Sequence, residues 1–326
     1  MIEVKNIKKK YRKINKKGVL KNNYQDFEAV KNISMKIEEG KIVGLLGING
    51  SGKTTTIKML STLLTPDSGS IVIDNMDSVK DGKQIRSIIN MIAGGERMIY
   101  WRLTPRENLQ YFGSLYGIDK EVLDKRIDEL LSFVGLLANA DQPVETFSKG
   151  MKQRLQIARG LINNPKYIFL DEPTLGLDVS IASEIRKFLK KLADINHKGI
   201  LLTSHYINEI EEICDYIYVI DNGLNFMEGT PENIINKLST YKEKFIIKVS
   251  NIDENLKLEL MRFSNETNSL VDFDLNNSEI KVVITNNNVQ EHLLSIIYKY
   301  SNIIKFTSDS PTLEEVMLKL SEGKKE

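Results

Sequence analysis

Three short stretches, and one lone histidine at a strand end, carry residue types at spacings that suit phosphate chemistry. The first, GLLGINGSGKTTTIKML, fits G-x-x-x-x-G-K-[ST] through Gly47, Gly52, Lys53 and Thr54, between an apolar strand and a helical pattern. Its glycines leave room for backbone N–H groups to wrap phosphates, and a helix starting near Lys53 adds its positive end. Asn49, Gly50, Ser51, Gly52, Lys53, Thr54 and Thr55 are therefore the candidate nucleotide-binding loop, with Lys53 reaching the β and γ phosphates and Thr54 a ligand to Mg²⁺. The second stretch, YIFLDEPTLGLD, ends an apolar strand on two acids. Asp171 suits Mg²⁺, and Glu172 suits orienting or deprotonating an attacking water. LLTSHY ends a further apolar strand on His205, a candidate contact to the γ-phosphate. In the third, FSKGM, Ser148 and Gly150 precede the amphipathic run KQRLQIARGL and resemble a second, incomplete anion site.

These residues need a scaffold that brings strand ends together. MIEVKNI alternates as a strand, and AVKNISMKIEEGKIVGLLGI reads as two strands joined at Glu38, Glu39 and Gly40. Apolar runs at SIINMIA, YIFLDEP, GILLTSH and YIYVIDNG alternate with helical patterns such as RENLQYFGSLYGI and VSIASEIRKFLKKLADI. Short buried strands alternating with helices predict a largely parallel α/β sheet. Thr104, Pro105 and Glu107 mark a helix start, with Thr as N-cap, Pro at N1 and Glu completing a capping box. The polar segment KKKYRKINKKGVLKNNYQDFE interrupts the strand pattern and reads as a solvated basic loop. After residue 243 the composition shifts. KFIIKVS, SLVDFDL and EIKVVITN read as strands, VQEHLLSIIYKYS as a helix, and SPTLEEVMLKLSEG as another helix capped by Ser310.

Composition sets outer bounds. A chain of 326 residues predicts two domains. The formal charge of +1 gives no global reason to expect nucleic acid. A single cysteine, Cys214, excludes a disulfide framework and suits a reducing compartment. The N-terminus lacks the apolar core of a secretory signal, and no apolar run approaches the ~18 residues that span a bilayer. The expectation is a soluble, cytoplasmic protein whose membrane role, if any, needs a partner.

With the phosphate loop, FSKGM, YIFLDEP, LGLD and TSH in this order, residues 1 to about 235 resemble the ATP-binding subunit of an ABC transporter. The resemblance implies a P-loop NTPase of ABC type: an α/β fold with a mixed, largely parallel sheet and a helical subdomain, here about 96–160, plus a small C-terminal α/β module. The implied division is 1–237 for the ATP-binding domain, 238–243 for a linker and 244–326 for the accessory module. FSKGM aligns with the family signature Leu-Ser-Gly-Gly-Gln, which implies that Ser148 and Gly150 contact the ATP held by a second subunit, in a homodimer or heterodimer. By the same resemblance Asp178 lies at the dimer contact, and Tyr11 or Tyr24 stacks on adenine. ATP and Mg²⁺ are the implied ligands. Membrane permease subunits are the implied partners, on the cytoplasmic face, with no nucleic acid, and SKGM together with the LEEV tail resembles the exporters of drugs, peptides or lipid-like cargo.

Two departures stand out. Lys149 and Met151 replace the usual Gly and Gln of the signature, and a left-handed backbone at Lys149 would cost about 1 kcal/mol or more. The family expects Gln near residue 94, but NMIAGGERMIYWRLTPRENL contains none, which makes Glu96 the candidate substitute at the metal and water. Tyr100 and Trp101, beside that loop, are candidates either for gripping a permease or for core packing. A soluble ABC-type ATPase acting on ribosomes or DNA is the alternative; the paired cassettes or long coiled coil typical of those classes are missing from this chain.

Overall fold

The computed structural model describes residues 1–16, 22–93, 99–204, 206–239, 241–285 and 289–315. β1 (Ile2–Lys16) and β2 (Asn22–Ile37) form a long antiparallel hairpin whose base buries Ile2, Val4, Ile7, Val30, Ile33, Met35 and Ile37. The segment read as a solvated loop is thus largely strand. Charged cross-strand pairs flank one aromatic pair there, with Lys10 on Glu28 at 2.8 Å and Arg12 near Asp26 at 3.5 Å on either side of Tyr11 and Phe27. Charged pairs interrupt the hydrophobic alternation, which is why its period was not visible.

β3 (Ile42–Leu46), buried throughout, leads into α1 (Lys53–Leu60). β4 (Ser68–Ile73), β5 (Met76–Asp77), α2 (Gly82–Ile88) and β6 (Ile89–Ala93) follow. Three helices come next: α3 (Pro105–Leu115), α4 (Lys120–Phe133) and α5 (Lys149–Leu161). Leu109, Leu123, Ile127, Leu131, Leu155 and Ala158 give them a core of their own. The chain then alternates through β7 (Tyr167–Asp171), α6 (Val179–Asp194), β8 (Gly199–Thr203), α7 (Ile207–Ile213), β9 (Tyr216–Asp221) and β10 (Leu224–Gly229). The sheet order is β5-β4-β1-β2-β10-β9-β3-β8-β7-β6. From β9 to β6 neighbouring strands are parallel, so the C-terminal ends of β3, β7 and β8 open on one edge. Ligands of open α/β sheets bind along such an edge. Thr104 caps α3 as expected: its Oγ1 accepts from Glu107 N at 3.2 Å, and its own N–H donates to Glu107 Oε2 at 2.8 Å.

The chain divides into two compact units, Met1–Pro231 and Glu232–Glu326, with α8 (Pro231–Leu238) at the division. The second unit runs β11 (Glu243–Val249), α9 (Glu254–Thr267), β12 (Leu270–Asp274), β13 (Glu279–Ile284), α10 (Gln290–Tyr300) and β14 (Ile303–Asp309). This βαββαβ order makes an antiparallel sheet, β12-β13-β11-β14, of the split βαβ type. Leu256, Leu260 and Phe263 of α9 and Leu293 and Ile297 of α10 cover one face, each side chain contributing about 1.5–3 kcal/mol by burial. Sequence reading missed α9 and β14 and placed the last helix cap too early. Thr312, not Ser310, is the cap: its Oγ1 accepts from Glu315 N at 3.2 Å, and its N–H points back to Glu315 Oε2 at 3.5 Å.

Candidate functional site

The phosphate loop is shaped by contacts that only glycine allows. Gly52 sits before α1 at φ 110°, where a Cβ would lie 2.6 Å from the carbonyl of Ala29. A Cβ on Gly47 would lie 2.4 Å from the carbonyl of Ile220. Lys53 opens α1 and folds back over the loop, donating to Gly47 O at 2.6 Å and Ile48 O at 3.1 Å. Its burial lowers the ammonium pKa, and the facing carboxylates of Glu172 and Asp171 only partly counter this. Among the described residues, the buried Ser51 Oγ has no hydrogen-bond partner. A desolvated cation and a helix start facing one cleft favour an anionic ligand.

Parallel pairing of β7 with β8 sets Asp171 opposite Thr203. Thr203 Oγ1 donates to Asp171 Oδ1 at 2.6 Å, and Thr54 Oγ1 approaches Oδ2 at 3.4 Å. Glu172 adopts a left-handed backbone at φ 54°, a conformation that costs a non-glycine residue about 1–3 kcal/mol and recurs at functional sites. Its N–H is held by Thr203, at 3.0 Å from the carbonyl and 3.2 Å from Oγ1. Glu172, Asn49, Gly50, Gly52, Lys53, Thr54 and Thr55 line one cleft of about 220 Å³. Its other wall is aromatic, made by Tyr11 of β1 and its register partner Phe27 of β2. Tyr24 lies in β2 opposite Ile14, three register positions along the hairpin; its side chain is outside the described residues, as are His205 and Glu96.

The signature segment is built as a helix cap. Ser148 precedes α5, and its Oγ accepts from Met151 N at 3.3 Å. Lys149 takes the first helical position, so the side chain that replaces glycine meets no left-handed strain. Gly150 is buried against α6, where a Cβ would lie 2.8 Å from Cδ1 of Ile181. Asp178 is the exposed residue ahead of α6. None of these three lines the cleft around Lys53.

A model of the ABC transporter family matches residues 30–175. The chain is 40% identical over 207 residues to an ABC transporter ATP-binding protein, NatA, of Bacillus subtilis, covering 64% of this chain and 84% of the relative. It is 32% identical over 328 residues to the linearmycin resistance ATP-binding protein LnrL of the same organism, covering 98% of both. Among solved structures, a dimeric ATP-binding cassette in a post-hydrolysis state with ADP and Pi matches at TM-score 0.61 and 29% identity, over 71% of this chain and 98% of that one. The chain belongs to the ABC transporter family. It is an ATP-binding subunit with the ATPase cassette fold, and the residues matched by the family model fall within Met1–Pro231. Among the described residues no helix is long and apolar enough to cross a membrane.

Three residues that hold this ABC cassette's site together were not singled out in the sequence. Phe27 escaped because its segment read as a loop. Thr203 sits inside an apolar run, and only strand register reveals that it faces Asp171. Glu209, buried in α7, accepts from Ser204 Oγ at 2.5 Å and Thr174 Oγ1 at 2.8 Å, tying the turn after Glu172 to the turn before His205. No local motif marks it. Tyr100 and Trp101 are exposed rather than core residues. Tyr100 packs edge-on against Tyr111, and the Lys152 ammonium of α5 lies 4.2 Å from the centre of the Trp101 ring.

Proposed function

We propose that this ABC subunit powers a separately encoded membrane permease, most simply an exporter, by closing with a second ATP-binding subunit around two ATP molecules. The supporting observation is the division of the anion-binding groups. Lys53, Glu172 and the phosphate loop share one cleft, while the Ser148 cap and the start of α5 stand outside it. In a head-to-tail pair, Ser148 and Gly150 of one subunit meet the γ-phosphate held by Lys53 of the other, and Asp178 lies at the contact. Binding energy from both faces then drives closure.

Lys53 and the loop N–H groups hold the β and γ phosphates. Glu172 orients a water for attack on the γ-phosphorus and takes its proton as the bond to ADP breaks, while Thr203 fixes the Asp171 carboxylate and the backbone N–H of Glu172. Mg²⁺ fits the Thr54 hydroxyl and the Asp171 carboxylate, hard oxygen donors 3.4 Å apart, and would supply neutralisation of phosphate charge. Tyr100, Trp101 and Tyr111 form an exposed aromatic surface suited to a permease segment, which supports a position at the cytoplasmic face of the membrane. Similarity to a linearmycin resistance protein supports export of a drug, peptide or lipid-like cargo.

The test is ATP-dependent dimerisation with turnover, followed by co-purification with the permease. Glu172→Gln should bind ATP and accumulate as a stable dimer with turnover reduced about 10²–10⁴-fold. Lys53→Ala should bind no ATP and stay unpaired when ATP is added. Rapid turnover by the Glu172 variant would remove its role as base.

A further inference from the structure

The C-terminal unit has one sheet face covered by α9 and α10 and one that these helices leave open. On the open face, strand alternation and register put Leu270, Asp272 and Asp274 of β12 beside Glu279, Lys281 and Val283 of β13. Lys244, Ile246 and Lys248 of β11 come next, and Lys305, Thr307 and Asp309 of β14 complete the face. One row across the sheet therefore reads Asp274, Glu279, Lys248, Lys305.

That row is unfavourable within a single copy. Like charges stand directly opposite each other at both ends, Asp274 against Glu279 and Lys248 against Lys305, and such cross-strand pairs destabilise a sheet. Lys248 also stands opposite Glu279, yet among the described residues no ion pair joins Lys248, Lys305 or Glu279 to another side chain. The row is, however, complementary to itself. A two-fold axis parallel to the strands, between β13 and β11, lays the basic pair of one copy over the acidic pair of the other. Two-fold contacts require this kind of self-complementarity. Ile246, Val283 and Leu270 supply apolar surface next to the charges, and Leu270 is 70% exposed.

We propose that this open face is a second contact between two copies of the chain, formed without ATP and separate from closure of the cassettes. It keeps two subunits associated while the nucleotide clefts are open. The contact goes beyond the functional reading above and does not depend on it.

The test uses the full-length chain without nucleotide, in sedimentation velocity across a concentration series at low and high salt. Wild type should associate reversibly, and more weakly as salt rises. Lys248→Glu with Lys305→Glu in one chain, and Asp274→Lys with Glu279→Lys in another, should each weaken self-association about tenfold or more. An equimolar mixture of the two should recover a heterodimer. The neutral variant Lys248→Gln with Lys305→Gln, which relieves repulsion within the sheet, should stay folded and still lose association. A wild type that stays monomeric without nucleotide overturns the proposal, as do charge variants that associate like wild type or a mixture that forms no heterodimer. ATP binding and ATP-induced dimerisation by Glu172→Gln are read separately, so loss of this contact leaves the cassette mechanism untouched.

Discussion

Removing the aromatic wall of the ATP cleft should weaken nucleotide binding without unfolding the cassette. Tyr11 and Phe27 are 40% and 55% exposed, so truncating either to Ala removes little buried surface. The lost cross-strand aromatic pair costs about 0.2–1 kcal/mol of stability. Base stacking is worth about 1–3 kcal/mol by Ala substitution. At about 1.4 kcal/mol per decade, Tyr11→Ala should raise Kd for ATP by about 5- to 150-fold. The factor should be the same for ADP and for GTP if the wall stacks on the base, since every base has a π-face. Titration calorimetry with ATP, ADP and inorganic tripolyphosphate separates the parts of the cleft. Tyr11→Ala should lose affinity for both nucleotides and keep it for tripolyphosphate, and Tyr11→Phe should restore binding. Unchanged ATP affinity in both Tyr11→Ala and Phe27→Ala would refute the assignment of this wall to the base, and a parallel loss of tripolyphosphate would show that the phosphate loop had been disturbed instead.

Two further outcomes follow from the same geometry. Thr203→Val removes the 2.6 Å hydrogen bond to Asp171 and one anchor of the Glu172 backbone. It should raise the Mg²⁺ concentration needed for half-maximal ATPase activity and lower stability by about 1.5–3 kcal/mol, read by thermal melting. For Asp74, burial opposes ionisation, but hydrogen bonds from Lys166, the N-terminal ammonium and Tyr167 outweigh it and lower the pKa from 3.8 to about 2. A depressed carboxylate stabilises the fold above its unfolded pKa and loses that contribution as pH falls through its folded value. The contribution is about 2 kcal/mol at pH 7 and about 1 kcal/mol at pH 3. Urea denaturation of Asp74→Asn beside wild type should show the gap narrowing across that range, and a gap independent of pH would rule the linkage out.

The phosphate loop, the paired acids and the strands behind them were legible because their chemistry depends on residues adjacent in sequence. Gly52 and Lys53 carry their meaning within a few positions. Thr203 and Glu209 act across parallel strands and packed turns, so their roles emerge only once register is fixed. The outer part of the β1–β2 hairpin was hidden for another reason: strands stabilised by charged cross-strand pairs carry no hydrophobic period. Helix α9 did carry its signal, with Leu256, Leu260 and Phe263 at helical spacing behind an Asp253 cap. It was passed over among strands that alternate more plainly.

The capping geometry of Ser148 has a consequence for protein engineering. Its Oγ spends a lone pair on Met151 N and leaves the hydroxyl hydrogen to be donated elsewhere. Asp holds a helix end as well as Ser does, so a redesign scored on folding alone would treat the two as interchangeable. An ionised Asp has no hydrogen to offer and would set a negative charge where the proposed pairing brings a γ-phosphate. Stability-guided optimisation of this chain should therefore keep position 148 fixed, since a gain in melting temperature there would conceal the loss of the proposed ATP contact.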